Sequence, residues 1–204
     1  MDKKISEKVI NRLTLYHYIL RDYIANGEIY ISSKQIATLL KIDDSQVRKD
    51  LNLLNNSGKS RVGYIVKELK KSIEMTLGYS KTKHTCIIGA GNLGMALAKY
   101  DNFTSYGLNV VALFDNDINK IGNKINEKEI LDIKNLTDFV KTNEIDIAIL
   151  TVPSKFAQET ADLIVNSGIK YIWNFTSRVL KVPDDVQVWN ENLMGNFLQF
   201  TYNI

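Results

Sequence analysis

Cysteine is almost absent from this 204-residue chain, and a single thiol, Cys86, excludes an intrachain disulfide framework. It stands in the run Thr85-Cys86-Ile87-Ile88, where a buried strand residue is expected rather than a nucleophile. Proline is nearly as scarce: Pro153 and Pro183 both fall late, where strands give way to loops. Histidine is represented only by His17 and His84, and neither has a partner at metal-ligand spacing. Long apolar runs are missing as well. No stretch approaches the roughly 20 residues of a membrane helix, and Met1-Asp2-Lys3-Lys4-Ile5 carries no apolar signal core. The expectation is a soluble, cytoplasmic protein with no metal and no membrane partner.

What is present divides the chain in two. The net charge is only +3, but residues 1–80 hold 14 Lys and Arg against 9 Asp and Glu, whereas the remainder holds 12 against 14. A basic front half suits a polyanionic partner. Residues 1–77 read as short helices followed by a charged stretch. From Thr85 the pattern becomes strand–helix–strand, with β-rich apolar runs at 85–88, 108–114, 145–152 and 171–175. The polar segment Leu77-Gly78-Tyr79-Ser80-Lys81-Thr82-Lys83-His84 reads as a linker. The fold class is therefore α/β, with domain boundaries at 1–80, 81–189 and 190–204.

In the front half, Ile10, Leu13, His17, Leu20 and Ile24 recur at helical spacing over 6–25. Ser32-Ser33 offers an N-cap to a helix carrying Ile36, Leu39 and Leu40. After the short turn Lys41-Ile42-Asp43-Asp44, a third helix starts at Ser45 with Val47, Leu51 and Leu54 inward. Its opposite face carries Ser45, Lys49 and Asn52, flanked by Gln46 and Arg48. A helix that enters the major groove needs hydrogen-bonding groups for base edges and cations for phosphates, and this face supplies both. Asn55-Asn56-Ser57-Gly58 ends the helix, and Lys59 to Val66 reads as a small hairpin with Lys59 and Arg61 at its tip. A basic wing beside such a helix can touch phosphates or a narrow minor groove. The order predicts an N-terminal winged helix-turn-helix.

In the back half, the first strand runs into Gly89-Ala90-Gly91-Asn92-Leu93-Gly94 and then a helix. This is the strand, G-x-G-x-x-G, helix arrangement of a Rossmann-type parallel sheet, whose glycines serve a tight turn, approach to a pyrophosphate and helix–strand packing. The second strand ends in Asp115, placed to bind the adenine ribose hydroxyls and to disfavour a 2′-phosphate; Asp117 lies just beyond. NAD(H) is the expected cofactor. Thr151, Val152 and Pro153 end the next strand, at the crevice where the nicotinamide half would lie. Residues 186–189 form a further short strand. The final helix, Asn190 to Tyr202, bears Leu193, Met194, Phe197, Leu198 and Phe200, too apolar for a free surface; it packs on its own domain or swaps into a dimer partner.

Three functional classes stay open on these residues. A small NAD-dependent oxidoreductase needs a substrate region and a proton donor, but no Tyr-x-x-x-Lys or Cys-His constellation follows the fourth strand. A ligand-gated interaction protein without a DNA role requires only that the basic face be solvated. A ligand-controlled DNA reader accounts for both halves.

The chain resembles the Rex family of bacterial redox-sensing repressors along nearly its whole length. The likeness is carried by Arg12-Leu13-Thr14-Leu15-Tyr16, Ser32-Ser33-Lys34, Ser45-Gln46-Val47-Arg48-Lys49-Asp50-Leu51, Val62-Gly63-Tyr64, the glycine motif, Phe114-Asp115-Asn116-Asp117 and Ile145 to Leu150. The resemblance implies a non-enzymatic homodimer with exchanged C-terminal helices that binds palindromic operators of fermentation and respiration genes and leaves them as NADH rises. It implies that NADH favours a closed arrangement that misplaces the recognition helices. It also implies DNA contacts from Ser32, Ser45, Gln46, Arg48 and Lys49, and from Lys59, Arg61, Gly63 and Tyr64 in the wing. Tyr100 would lie near the nicotinamide, and Arg12, Tyr100 and residue 192 would form the switch. The chain departs from the pattern at Leu53 to Asn56, at Ser60-Arg61 and at Thr176-Ser177-Arg178-Val179. It also has Asn192 where the family has an acid, with Glu191 beside it.

Overall fold

The computed structural model describes residues 5–54, 58 and 62–202. The chain forms two compact units, residues 1–81 and 82–204. In the first, helix α1 (Glu7–Ala25) is followed by strand β1 (Tyr30–Ile31), helices α2 (Ser33–Leu40) and α3 (Asp44–Asn52), strand β2 (Tyr64–Ile65) and helix α4 (Val66–Leu77). Leu13, Tyr16 and Leu20 of α1, Ile36 of α2, Val47 and Leu51 of α3, and Val66, Leu69 and Ile73 of α4 close one core. The α1 stripe differs by one step from the expected one: Tyr16 is buried, while Ile10 faces outward. Tyr16 turns inward because its hydroxyl reaches α3, donating to Asp50 at 2.8 Å.

Of the hairpin expected over 59–66, only residues 62–66 are described, and they differ from it at the end. Its second strand, Tyr64–Ile65, pairs antiparallel with Tyr30–Ile31, and Val66 already begins α4. Gly63 explains the pairing, because with φ at +96° a Cβ there would stand 2.4 Å from the Ile31 carbonyl oxygen. Only glycine allows the backbones to meet so closely. Lys59 and Arg61, the expected wing tip, lie outside the described residues.

The second unit is built on a seven-stranded sheet. Its strands are β3 (Lys83–Ile88), β4 (Leu108–Asp115), β5 (Lys124–Ile125), β6 (Lys128–Asp132), β7 (Ile147–Leu150), β8 (Tyr171–Asn174) and β9 (Gln187–Asn190), with helices α5 (Asn92–Ala98), α6 (Leu136–Asn143), α7 (Ala157–Asn166) and α8 (Leu193–Thr201). The spatial order is β5-β6-β4-β3-β7-β8-β9. All neighbours are parallel except the edge pair β5–β6. Without β5, this is the order of a dinucleotide-binding sheet, reversing direction between β3 and β7. Cys86, Ile88, Phe114, Ala148, Leu150 and Ile172 pack with Ala161 and Ile164 of α7 on one face. Ile87, Leu113 and Ile149 pack with Ala98 of α5 on the other. Burial on both faces accounts for the near-continuous apolar reading of these strands.

Candidate DNA interface and dinucleotide site

The helix-turn-helix is set by two caps. Ser32 caps α2 with a reciprocal box, its hydroxyl accepting from Gln35 N at 3.2 Å and its own N–H donating to Gln35 Oε1 at 2.8 Å. Its cap role is thus a local one. Asp43 caps α3, accepting from Ser45 N at 2.7 Å. The two caps fix the turn that joins the helices. Ser45, Arg48, Lys49 and Asn52 then lie exposed on α3, opposite buried Val47 and Leu51. Arg48 pairs with Asp44 one turn back on this surface, an exposed pair worth little and easily exchanged for phosphate. Tyr64 of β2 stands near this end of α3: burial pushes its phenol up, Arg48 draws it down and Asp44 adds to the rise.

Gln46 is not free on that face. Its Nε2 donates to Asp50 Oδ1 at 2.9 Å. The same carboxylate accepts from Arg12 Nε at 2.6 Å, Arg12 Nη2 at 2.8 Å and Tyr16 OH at 2.8 Å. Burial alone would raise the Asp50 pKa, but the bonds from Arg12, Tyr16 and Gln46 hold it below the usual carboxylate range. Tyr16 is raised, by burial and then by its bond to Asp50. Arg12 is therefore placed inside the first unit, gripped by Asp50. Sequence reasoning missed Asp50 and Tyr16, although a signal existed: residues 47, 50, 51 and 54 share one helical face, and an acid there interrupts an otherwise apolar stripe.

In the second unit the glycine turn lies at the reversal of strand order. A Cβ on Gly94 would stand 2.0 Å from the Gly89 carbonyl oxygen, so α5 can approach the turn only with glycine there. A Cβ on Gly91, by contrast, would meet nothing within 4 Å. That open space, next to Asn92, Leu93 and the first-turn amides of α5, which have no acceptor within the helix, is where a pyrophosphate can be received. Thr151, just past β7, buttresses the turn by donating its hydroxyl to the Gly89 carbonyl at 2.8 Å. Val152 flanks the same glycine, and Pro153 leads into a short 3-10 turn at Ser154–Phe156.

Asp115 lies at the end of β4 with its Oδ2 accepting from Ala90 N at 2.8 Å and its Oδ1 from Asp117 N at 2.9 Å. Lys120 Nζ stands 3.2 Å from Oδ2. Burial would raise this carboxyl; the Asp117 amide, Lys120 and the Ala90 amide hold it low instead. The acid is ionised and aimed at the glycine turn, which fits a ribose diol and opposes a 2′-phosphate. Asp117 binds Asn119 N at 3.0 Å and so shapes the following turn. Tyr100, half-exposed, ends the α5 region with its ring edge-on to Phe103 at 4.9 Å between centroids.

Two further features went unread in the sequence. Buried Asn174 at the end of β8 donates to the Arg178 carbonyl at 2.9 Å and to Asn190 Oδ1 at 2.7 Å, and accepts from Thr176 N and Oγ1. It thereby shapes the loop beside the crevice, where Ser154 and Ser177 hydroxyls lie 2.8 Å apart. Asn192 caps α8, accepting from Gly195 N at 2.8 Å. The final helix consequently starts at Leu193, not at Asn190, which belongs to β9. Among the described residues no cluster of His, Cys, Asp and Glu could hold a metal, and no helix is long and apolar enough to cross a membrane.

Comparison with known proteins bears on both units. Residues 4–52 match the family model "Putative DNA-binding protein N-terminus" and residues 80–178 match "CoA binding domain". The redox-sensing transcriptional repressor Rex of Thermoanaerobacter pseudethanolicus is 42% identical over 201 residues, covering 98% of this chain and 90% of that protein. The Rex protein of Clostridium botulinum is 44% identical over 203 residues, covering 98% and 97%. The Rex-family repressor RSP, solved with β-NAD+ and operator DNA, superposes with a TM-score of 0.90 at 40% identity, covering 99% of this chain and 93% of that one. RSP with β-NADH gives 0.87 at 41%, covering 99% and 95%. With such likeness over its full length, carried by a capped helix-turn-helix and a glycine turn facing an ionised acid, the chain belongs to the Rex family of redox-sensing transcriptional repressors.

Proposed function

We infer that this chain is a transcriptional repressor that holds palindromic operator DNA through α3 and releases it when NADH occupies the glycine turn of the second unit. The observation that carries the reading is the full-length match to RSP, which has been solved both with β-NAD+ and operator DNA and with β-NADH. Ser45, Arg48 and Lys49 offer the major groove donors and cations. Gly63 shapes the wing and Tyr64 extends the interface toward the minor groove, with Lys59 and Arg61 as further proposed DNA contacts. Gly89 to Gly94, Asp115 and Thr151 to Pro153 take the dinucleotide, with Tyr100 toward the nicotinamide. When bound, NAD(H) supplies a redox-dependent signal, and only a difference in its affinity for two protein states can move the DNA equilibrium. The reading places the protein in the cytoplasm with the chromosome.

The functional protein is a homodimer in this reading. Every residue of α8 is left at least partly exposed, and Leu193, Met194, Phe197, Leu198 and Phe200 are each more than half exposed. On the sheet, Tyr171 and Trp189 are likewise bare and line a groove of about 370 Å³ with Ile147, Trp173 and Gln187. Apolar area of this kind is covered by a partner, and a twofold pair of α3 helices suits a palindrome. An exchange of α8 between subunits would cover both surfaces.

The oxidoreductase alternative has little to work with. His84 lies near the start of β3, away from the carboxyl ends of the strands where the dinucleotide crevice forms. His17 belongs to the other unit, bonded to Glu74 at 2.9 Å. The deciding experiment is selection of duplexes from a palindrome library at several NADH/NAD+ ratios. A retarded band that persists with NAD+ and disappears with NADH is expected; a band indifferent to NADH, or steady consumption of NADH with a carbonyl substrate, would overturn the reading.

A further inference from the structure

We propose that Asp50 is a positioning residue for DNA recognition: its buried carboxylate fixes α3 against α1 and sets the orientation of the Gln46 amide. The proposal rests on the reading of α3 as the DNA-contacting helix. Asp50 is 1% exposed, and four hydrogen bonds fill its two oxygens. Arg12 Nε and Tyr16 OH meet Oδ2 at 2.6 and 2.8 Å, while Arg12 Nη2 and Gln46 Nε2 meet Oδ1 at 2.8 and 2.9 Å. Arg12 and Tyr16 are one turn apart on α1, so the carboxylate is held by a bidentate fork and a phenol from a single neighbouring helix.

Packing alone would not need this arrangement. A buried charge is costly to desolvate, and an apolar residue of similar size would join Val47 and Leu51 in the core without that cost. What a carboxylate adds is direction. It rejects the amide oxygen of Gln46 and accepts only the nitrogen, so the amide has one orientation rather than two. Recognition of adenine by a glutamine needs donor and acceptor in a fixed order along the base edge. The Gln46 amide retains a second N–H and its Oε1 for that purpose.

The test uses the full-length protein and the palindrome that it selects from a randomised library, with a scrambled duplex of equal length as the control. Asp50→Asn, Gln46→Ala and the double variant are compared for operator affinity, scrambled-duplex affinity and NADH affinity. Asp50→Asn is expected to weaken operator binding about tenfold to a hundredfold, with scrambled-duplex and NADH affinities within about twofold of the parent. Gln46→Ala is expected to do the same, and the double variant to be no worse than either, since both remove one oriented amide. Tyr16→Phe removes one bond to Asp50 while keeping the packing, and a severalfold loss confined to the operator is expected even if Asp50→Asn folds poorly. Equal losses on operator and scrambled DNA, or additive losses in the double variant, would overturn the proposal. Loss with Asp50→Asn but none with Gln46→Ala would also overturn it and leave the DNA-binding reading intact. Failure of the parent to select any palindrome would instead remove that reading, and the proposal with it.

Discussion

Single residues decide whether the two sites exist. At Gly94 a methyl group would fall 2.0 Å from the Gly89 carbonyl oxygen, inside any van der Waals contact, so α5 or the turn must move. Overpacking of this kind costs roughly 1–3 kcal/mol, and the displaced elements are those that receive the pyrophosphate. Gly94→Ala is therefore expected to lose NADH binding in a fluorescence titration while operator binding survives and no longer responds to NADH. Normal NADH affinity in this variant would refute the placement of the cofactor.

His17 makes a second residue-scale prediction. It is buried between α1 and α4, its Nε2 2.9 Å from Glu74 Oε1, with Tyr79 edge-on at 5.1 Å and Lys70 paired to the same Glu74. Burial lowers its pKa more than the bond to Glu74 raises it, and Lys70 and Arg21 lower it further. The unfolded chain then binds a proton that the folded one refuses, so stability is complete above the ordinary histidine pKa of about 6.5 and falls as the pH drops below it. Thermal melts between pH 7.5 and 5.5 should show this loss, and His17→Phe should flatten it; an equal slope in both proteins would assign the loss elsewhere. Cys86, by contrast, is buried in the sheet as the sequence suggested, and burial pushes its thiol up to about 12.

At the scale of elements, some of the fold was legible and some was not, for identifiable reasons. The glycine turn with its flanking strand and helix, the capped α2–α3 pair and the parallel strands β3, β4, β7 and β8 follow from patterns dictated by the backbone. Helix α4 was readable but passed over as a charged stretch: Val66, Leu69 and Ile73 are spaced three and four apart, and the lysines around them obscured the stripe. The wing pairing was not legible, because β1 and β2 have two residues each and their partnership depends on a contact between residues 31 and 63. The Arg12–Asp50 link spans 38 positions and leaves no local periodicity. Hairpin β5–β6 was missed because its turn, Asn126-Glu127, has positive φ at both residues, 46° and 63°, without the glycine that usually announces such a turn. Left-handed backbone at a non-glycine residue costs roughly 1–2 kcal/mol, partly offset by the greater entropy that glycine loses. Glu127→Gly is expected to stabilise the second unit by up to about 1 kcal/mol, seen as a higher urea midpoint with an unchanged slope; a lower midpoint would show that Glu127 contributes more than strain.

For the whole molecule, the question is how strongly the dinucleotide and the operator oppose each other. That opposition is one coupling free energy, so the factor by which NADH weakens operator binding must equal the factor by which operator weakens NADH binding. The resemblance read from the sequence implies an acid where this chain has Asn192, paired with Arg12, and Arg12 is held here by Asp50 through two bonds. Asn192→Asp tests the charge cleanly, because aspartate caps a helix as well as asparagine does and the bond to Gly195 N can be kept. Hydrogen bonds to charged groups exceed neutral ones by about 1 kcal/mol, which corresponds to roughly a fivefold change in an equilibrium. The variant should therefore bind the selected palindrome with unchanged nonspecific affinity but with a coupling factor larger by about that amount, measured in both directions. An identical factor in parent and variant would mean that residue 192 serves only as the cap of α8, and that the switch of this chain runs through groups other than Arg12 and the residue at 192.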